Sequence, residues 1–143
     1  MEFFFQPDPQ RDPRYINLEF NSLGTHLIGM GTGRHDLRFL QYTDRELLDV
    51  RSGILKAPGD GEGGVNQERP GIRGWFVSFA VPFAYLKKYF PDFSPHKGVL
   101  MKGNFYKCGD LTLYPHYGCW SSIRYEKPDF HRPEYFGELV FGD

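Results

Sequence analysis

The sequence predicts an all-β chain, a β-sandwich of antiparallel sheets in the jelly-roll or immunoglobulin-like manner, with one or two short helices. Three observations carry that expectation. Fourteen Phe and nine Tyr raise the aromatic share to 17% of 143 residues, and such side chains suit pleated strands where a helical bundle would use Leu and Ala. Apolar and polar residues alternate in several short runs, the mark of strands with one face on a core. The connections between those runs are short, as in all-β architectures, and about seven strands can be counted.

The chain opens directly on a strand pattern, Glu2-Phe3-Phe4-Phe5-Gln6, which Pro7, Asp8, Pro9 and Pro13 end in a loop. Because no approach precedes it, an earlier portion of the domain is expected before Met1. Phe3 to Phe5 would then lie at an open sheet edge or groove through which copies could self-associate. Tyr15 to Phe20 sets Ile16, Leu18 and Phe20 on one face and Tyr15, Asn17 and Glu19 on the other, a half-buried strand. The turn Asn21-Ser22-Leu23-Gly24 leads to a partner strand over Thr25 to Met30, a hairpin. Gly29, Gly31 and Gly33 then precede Arg34-His35-Asp36.

Thr43 with Glu46 three residues on reads as a capping box opening a short helix through Val50. Gly53 to Lys56 reads as a short strand, and Pro58 to Gly64, with Gln67 to Gly71, as a surface loop. Gly74 to Val81 alternates Trp75, Val77, Phe79 and Val81, a core strand that places Trp75 inside. Phe83, Leu86 and Phe90 have helical spacing. Val99 to Cys108 and Glu134 to Phe141 complete the strands. Neither a repeat nor a linker divides the chain, so residues 1–143 form one domain.

Charge and hydropathy narrow the partners. The net charge is −1, with 17 basic and 18 acidic residues and no basic run, so an electrostatic grip on nucleic acid or an anionic membrane is not expected. No apolar run reaches transmembrane length, and MEFFFQPD lacks the cationic start of a signal peptide. Cys108 and Cys119 flank a presumed loop, which leaves open a disulfide between them or two buried free thiols.

The densest run of candidate chemistry is Lys102 to Trp120, KGNFYKCGDLTLYPHYGCW. It gathers Asn104, Lys107, Asp110, His116, Tyr117 and Trp120, side chains that bond hydroxyls or stack on flat apolar faces. Trp120, beside Gly118, Ser121 and Ser122, is read as exposed. Asp110 reads as turn chemistry after Cys108-Gly109. Arg34 is either a ligand-facing cation or the partner of a carboxylate such as Glu19. The glycines before Arg34 lack the Lys-Ser/Thr of a phosphate-binding loop.

Taken together, EFFFQPDP, YINLEFNSLGTHLIGMGTGRHD, WFVSFAVPF, KGNFYKCGD and a Trp followed by DFHRPEYFGELVF resemble the carbohydrate-binding family 9-like domains. These are akin to the family 9 modules of xylanases and to the wider DOMON-like sandwiches. The resemblance covers almost the whole chain in order. It implies a β-sandwich that binds glycans such as xylan or cellulose fragments without cleaving them, in an extracytoplasmic setting. It further implies that Trp120 stacks on the sugar and that Lys107, Asn104 and Arg34 bond its hydroxyls, with Tyr117 and His116 beside them. In the family, further strands and a facing aromatic precede the first of these motifs.

Three other chemistries were weighed. A glycosidase needs two carboxylates flanking the scissile bond, and Glu19, Asp110, Glu134 and Glu138 offer no spacing that selects a pair. His116, Cys119, Cys108 and His131 lack zinc-site spacing, and the acidic loop around Asp60 is too sparse for calcium. Haem ligation would call on Met30 with His26 or His116, which nothing singles out. No cofactor or metal is expected.

Overall fold

The computed structural model describes residues 1–40, 48–56 and 72–142. The expected capping box at Thr43 and the loop calls from Pro58 to Gly71 lie outside them. The described residues form a β-sandwich. Its large antiparallel sheet runs in the order β4 (Arg38–Phe39), β3 (His26–Gly31), β2 (Tyr15–Phe20), β1 (Glu2–Gln6), β7 (Leu100–Gly109) and β8 (His116–Cys119), and β9 (Gly137–Val140) pairs with the other end of β7. A second sheet is the hairpin of β5 (Arg51–Lys56) and β6 (Ile72–Ser78). One helix, α1 (Phe83–Tyr89), follows it.

The β2–β3 hairpin shows how local chemistry sets the register. Asn21 Oδ1 accepts hydrogen bonds from the backbone N–H of Leu23 and Thr25, at 3.0 Å each. Gly24 takes φ +76°, which a side chain would disfavour. The closed turn pairs Phe20 with His26 and Leu18 with Ile28.

Each strand alternates between two faces, and both faces are covered. On the first face Phe5, Ile16, Leu18, Phe20, Ile28 and Met101 meet Leu86 and Phe90 of the helical region, together with Val77 and Phe79. Phe79 stacks on Phe20 at 4.5 Å. On the second face Phe4, Tyr15 and Tyr106 meet Phe136, Ile123 and Phe130, so the segment from Ser121 to Phe136 closes that side. Phe130 lies flat on Tyr106 at 4.2 Å. A fully buried ring such as Phe4 or Phe5 contributes roughly 1.5–3 kcal/mol.

Several expectations are corrected. β2 is buried on both faces, because a second layer covers Tyr15 and Asn17 as well as Ile16 and Leu18. β1 lies between β2 and β7, hydrogen-bonded on both sides, so Phe3 to Phe5 present no open edge for self-association. Trp75, opposite Ile54 in the small hairpin, is only half-buried and belongs to neither core, although Val77 of the same strand packs against the first. The expected strand from Glu134 begins as a 3-10 turn, Pro133–Tyr135, and only Gly137–Val140 pairs. His116–Cys119 is a strand rather than a loop.

That last strand also decides the cysteines, which are both free. Cys108 pairs with Tyr117 and Cys119 with Tyr106, so the two thiols are diagonal neighbours. Diagonal Cβ atoms stand about 7–8 Å apart, against about 3.8 Å in a disulfide. Neither thiol is fully buried, and Cys119 is exposed.

Candidate functional site

On the second face, at the end where β1 begins and β7 finishes, the large sheet and the covering segment leave a cleft of about 350 Å³. Glu2, Glu19, Arg34, Cys108, Asp110, Tyr117, Phe130 and His131 line it, with Pro128. Strand alternation explains the floor. Glu2 lies opposite Glu19 across the β1–β2 ladder, and both share a face with Phe4 and Tyr15. The apolar stripe of that face ends in two carboxyls.

The wall that carries Arg34 is built by a tight turn. The Asp36 carboxylate accepts from the backbone N–H of Thr32 and Gly33 and from the Thr32 hydroxyl, at 2.8–3.0 Å. Those donors, Thr32 first, hold its pKa below the ordinary carboxylate value. A Cβ on Gly31 would stand 2.9 Å from the Leu37 backbone, so glycine lets the turn fold back on β3. Arg34 is thereby aimed across the cleft at Asp129, Nη2 to Oδ1 2.8 Å. Its partner is not Glu19.

Asp129 ties the opposite wall together. It also accepts from the His131 backbone N–H at 3.2 Å and from Arg132 Nε at 2.9 Å. Burial alone would raise its pKa, but Arg34, the His131 amide and Arg132 outweigh burial and lower it. The His131 ring is kept neutral, chiefly by burial and then by Arg34, and the Tyr15 hydroxyl meets its Nδ1 at 2.6 Å. Burial raises the Tyr15 pKa, so the phenol keeps its proton beside the neutral ring.

On the β7–β8 side the Tyr117 hydroxyl, then Cys108, hold the Asp110 carboxyl low, while the same bond raises Tyr117. Glu2 behaves differently. Burial, reinforced by Glu19, pushes its carboxyl up from 4.5 to about 7.

The six residues expected to form one site are divided by the sheet. Arg34 and Tyr117 line the cleft. Trp120, Lys107 and His116 stand on the opposite face. Trp120 is 56% exposed; its ring meets Phe105 edge-on at 6.2 Å and lies over Gly137. Phe105 stacks on Phe3, and Phe3 on Phe5, so an aromatic row runs from the core out to Trp120. Lys107 Nζ donates to the Cys108 carbonyl at 2.8 Å. His116 covers Gly109, its Nδ1 2.8 Å from the Tyr114 carbonyl.

Asn104 is the clear correction. It is 0% exposed, and its amide is spent on Ser121: Nδ2 donates to the Ser121 carbonyl and Oδ1 accepts from the Ser121 N–H, both at 2.8 Å. It fastens the covering segment to the sheet and cannot reach a ligand.

Sequence reasoning gave no site role to Glu2, Phe130 or Asp129, weighed His131 as a zinc ligand without the spacing for it, and read Asp110 as a turn residue. Asp110 does lie in the turn after β7 and also lines the cleft. The available signal was the period-2 pattern of the first two strands, which carries Glu2 and Glu19 on the face of Phe4 and Tyr15. Among the described residues no three His, Cys, Asp or Glu side chains cluster as a metal site would, and no helix is long and apolar enough to cross a membrane.

The comparisons agree with this architecture. A solved structure described as a candidate carbohydrate-binding protein from Bacteroides uniformis superposes with a TM-score of 0.73 at 33% identity, over 98% of this chain and 59% of that one. This chain therefore spans about three-fifths of its length. No curated protein matches. The model of carbohydrate-binding family 9 matches residues 1–141, and the chain belongs to that family.

Proposed function

We propose that residues 1–143 act as a non-catalytic module that binds a small sugar, or the end of a glycan, in the cleft on the second face. The observation that carries this reading is the convergence of Arg34, Tyr117, Glu2, Glu19 and Asp110 around about 350 Å³, a volume within the range of small-ligand sites. Carboxylates accept from sugar hydroxyls, the Arg34 guanidinium donates to them, and the Phe130 and Tyr117 rings offer an apolar wall. The cleft is open, so affinity should be modest. Binding without cleavage is favoured by the placing of Glu2 and Glu19. They rise side by side from adjacent strands, whereas a glycosidase sets its carboxyls on either side of the bond.

A second reading rests on its own observation. Trp120 and Phe105, 56% and 42% exposed, form a platform on the opposite face with Lys107 next along β7. That platform suits stacking along a longer chain such as xylan or cellulose.

Calorimetry with glucose, xylose, cellobiose and xylo-oligosaccharides separates the two. The cleft predicts that Arg34→Ala weakens binding at least tenfold while Trp120→Ala changes it little; the platform predicts the reverse. No heat with any of these sugars would count against both.

A further inference from the structure

Resting on the cleft as the sugar site, the geometry points to an unlike carboxyl pair: Glu2, in its protonated form, donates to one sugar hydroxyl, and Glu19 accepts from the adjacent one. The ligand class that fits is a neutral sugar with neighbouring hydroxyls, and uronic acids are refused.

Three features carry this. First, Glu2 and Glu19 are direct cross-strand partners on one face, so their Cβ atoms stand about 4.5–5.5 Å apart. Both side chains open into the same cleft. Two like charges so placed on a partly buried floor repel, and retaining one proton between them relieves the repulsion.

Second, the two surroundings are unequal. Fully buried Asn17 donates Nδ2 to Glu19 Oε1 at 3.1 Å, a bond that fixes the Glu19 carboxyl in place as an acceptor. Asn17 Oδ1 finds no partner among the described residues, so the amide is held in the floor by packing and spends its one bond on Glu19. Asn17 is thus a positioning residue for the acceptor. Half-buried Glu2 has no such donor among the described residues, and desolvation disfavours its charged form. The proton belongs on Glu2.

Third, the charged and titratable neighbours of Glu2 can be named among the described residues. Glu19 faces it from β2, Arg34 from the turn after β3, Cys108 and Asp110 from the end of β7, Tyr117 from β8, and His131 from the covering segment. The Met1 amino group and the Tyr106 phenol lie on the adjoining ladder. Arg34 is already paired with Asp129, and His131 is neutral. Glu19 and Asp110, which line the cleft, outnumber the Met1 amino group outside it, so the free charge at the mouth is acidic and a uronate would meet it unfavourably. When Glu2 loses its proton, the cleft loses a donor and gains a third anion beside Glu19 and Asp110.

The test has two arms. Carbon-13 carboxyl NMR of the unliganded protein should show Glu2 holding its proton toward neutral pH; both carboxyls ionising together below pH 5 would overturn the pair. Calorimetry with glucose, xylose, glucuronate and galacturonate at pH 5.5, 7 and 8.5 supplies the second arm. Wild type should bind the neutral sugars roughly five- to tenfold more weakly at pH 8.5 than at 5.5, the weight of one hydrogen bond, and should bind the uronates more weakly still. Glu2→Gln keeps a neutral donor and should flatten the profile, retaining affinity at pH 8.5. Glu19→Gln should lose affinity at every pH. Sugar binding that is flat in pH, or uronates bound as tightly as neutral sugars, sinks the pair and leaves the cleft standing. Absence of binding to any sugar at any pH overturns the cleft as a sugar site, and the pair with it.

Discussion

At the scale of single residues, protonation and volume make distinct predictions. Glu2 has a folded pKa of about 7 against an ordinary 4.5. The folded protein therefore holds this proton more tightly than the unfolded chain, and stability falls as pH rises through that window. His131 works in the opposite sense. Its pKa is lowered from 6.5, so the stability tied to its neutral ring is present above that value and fades as pH falls. Urea unfolding of wild type and Glu2→Gln across pH 4 to 8 should show the loss from about pH 4.5 to 7 in wild type alone. A separate prediction concerns Gly137, where an added Cβ would stand 2.7 Å from the Trp120 ring. Gly137→Ala should cost about 1–3 kcal/mol through overpacking. The Trp120 fluorescence maximum should shift as its ring is displaced.

At the scale of elements, the covering segment from Ser121 to Phe136 is what makes the cleft. It is pinned at one end by Asn104 and in the middle by Asp129, and its rings sit on Tyr106 and Tyr15. Asn104→Ala removes both bonds to the Ser121 backbone and should destabilise by about 2 kcal/mol, read from the midpoint of denaturation. Asp129→Ala leaves Arg34 and Arg132 without their shared acceptor. Hydrogen exchange should then quicken around residues 32–37 and 128–133, and sugar affinity should drop several-fold. If exchange there is unchanged, Asp129 does not hold the walls together. The β7–β8 pairing makes one more claim: with Cys108 and Cys119 diagonal and unbonded, a reductant should leave the melting temperature where it was.

At the scale of the whole molecule, two cores share one sheet. Phe5 and Phe4 of β1, and Ile16 and Tyr15 of β2, feed opposite faces, so neither layer can loosen without exposing the strand that serves the other. Unfolding should be a single transition. Trp120 reports on the edge of the large sheet and Trp75 on the small hairpin. Coincident curves from Trp120→Phe and Trp75→Phe variants would support this, and separate midpoints would show the hairpin melting by itself.

Most of the fold was legible because it is written in local pattern. Period-2 alternation marks β1, β2, β6 and β7, Asn21 to Gly24 marks the hairpin, and the spacing of Leu86 and Phe90 marks α1. The exceptions have physical causes. β8 reads as a loop because Pro115 precedes its four residues of mixed polarity and Gly118 lies among them. β2 reads as half-buried because alternation reveals two faces and not what covers each of them. The site was less legible for the same reason. The family resemblance points to Trp120, Lys107, Asn104 and Arg34, and the composition of the Lys102–Trp120 run adds Tyr117 and His116, yet strand alternation sends Trp120, Lys107 and His116 to one side of the sheet and Tyr117 to the other.

By itself, then, the sequence determined the all-β class, the strand and turn chemistry and the family, since these depend on side-chain type and short-range spacing. Only the tertiary structure decided that Asn104 is a buried fastener, that the cysteines stay apart, and that Glu2 and Glu19 share the floor of a cleft with Arg34 and Asp110. Those outcomes depend on register between strands distant in sequence and on which layer lies over which face, and no local pattern encodes either.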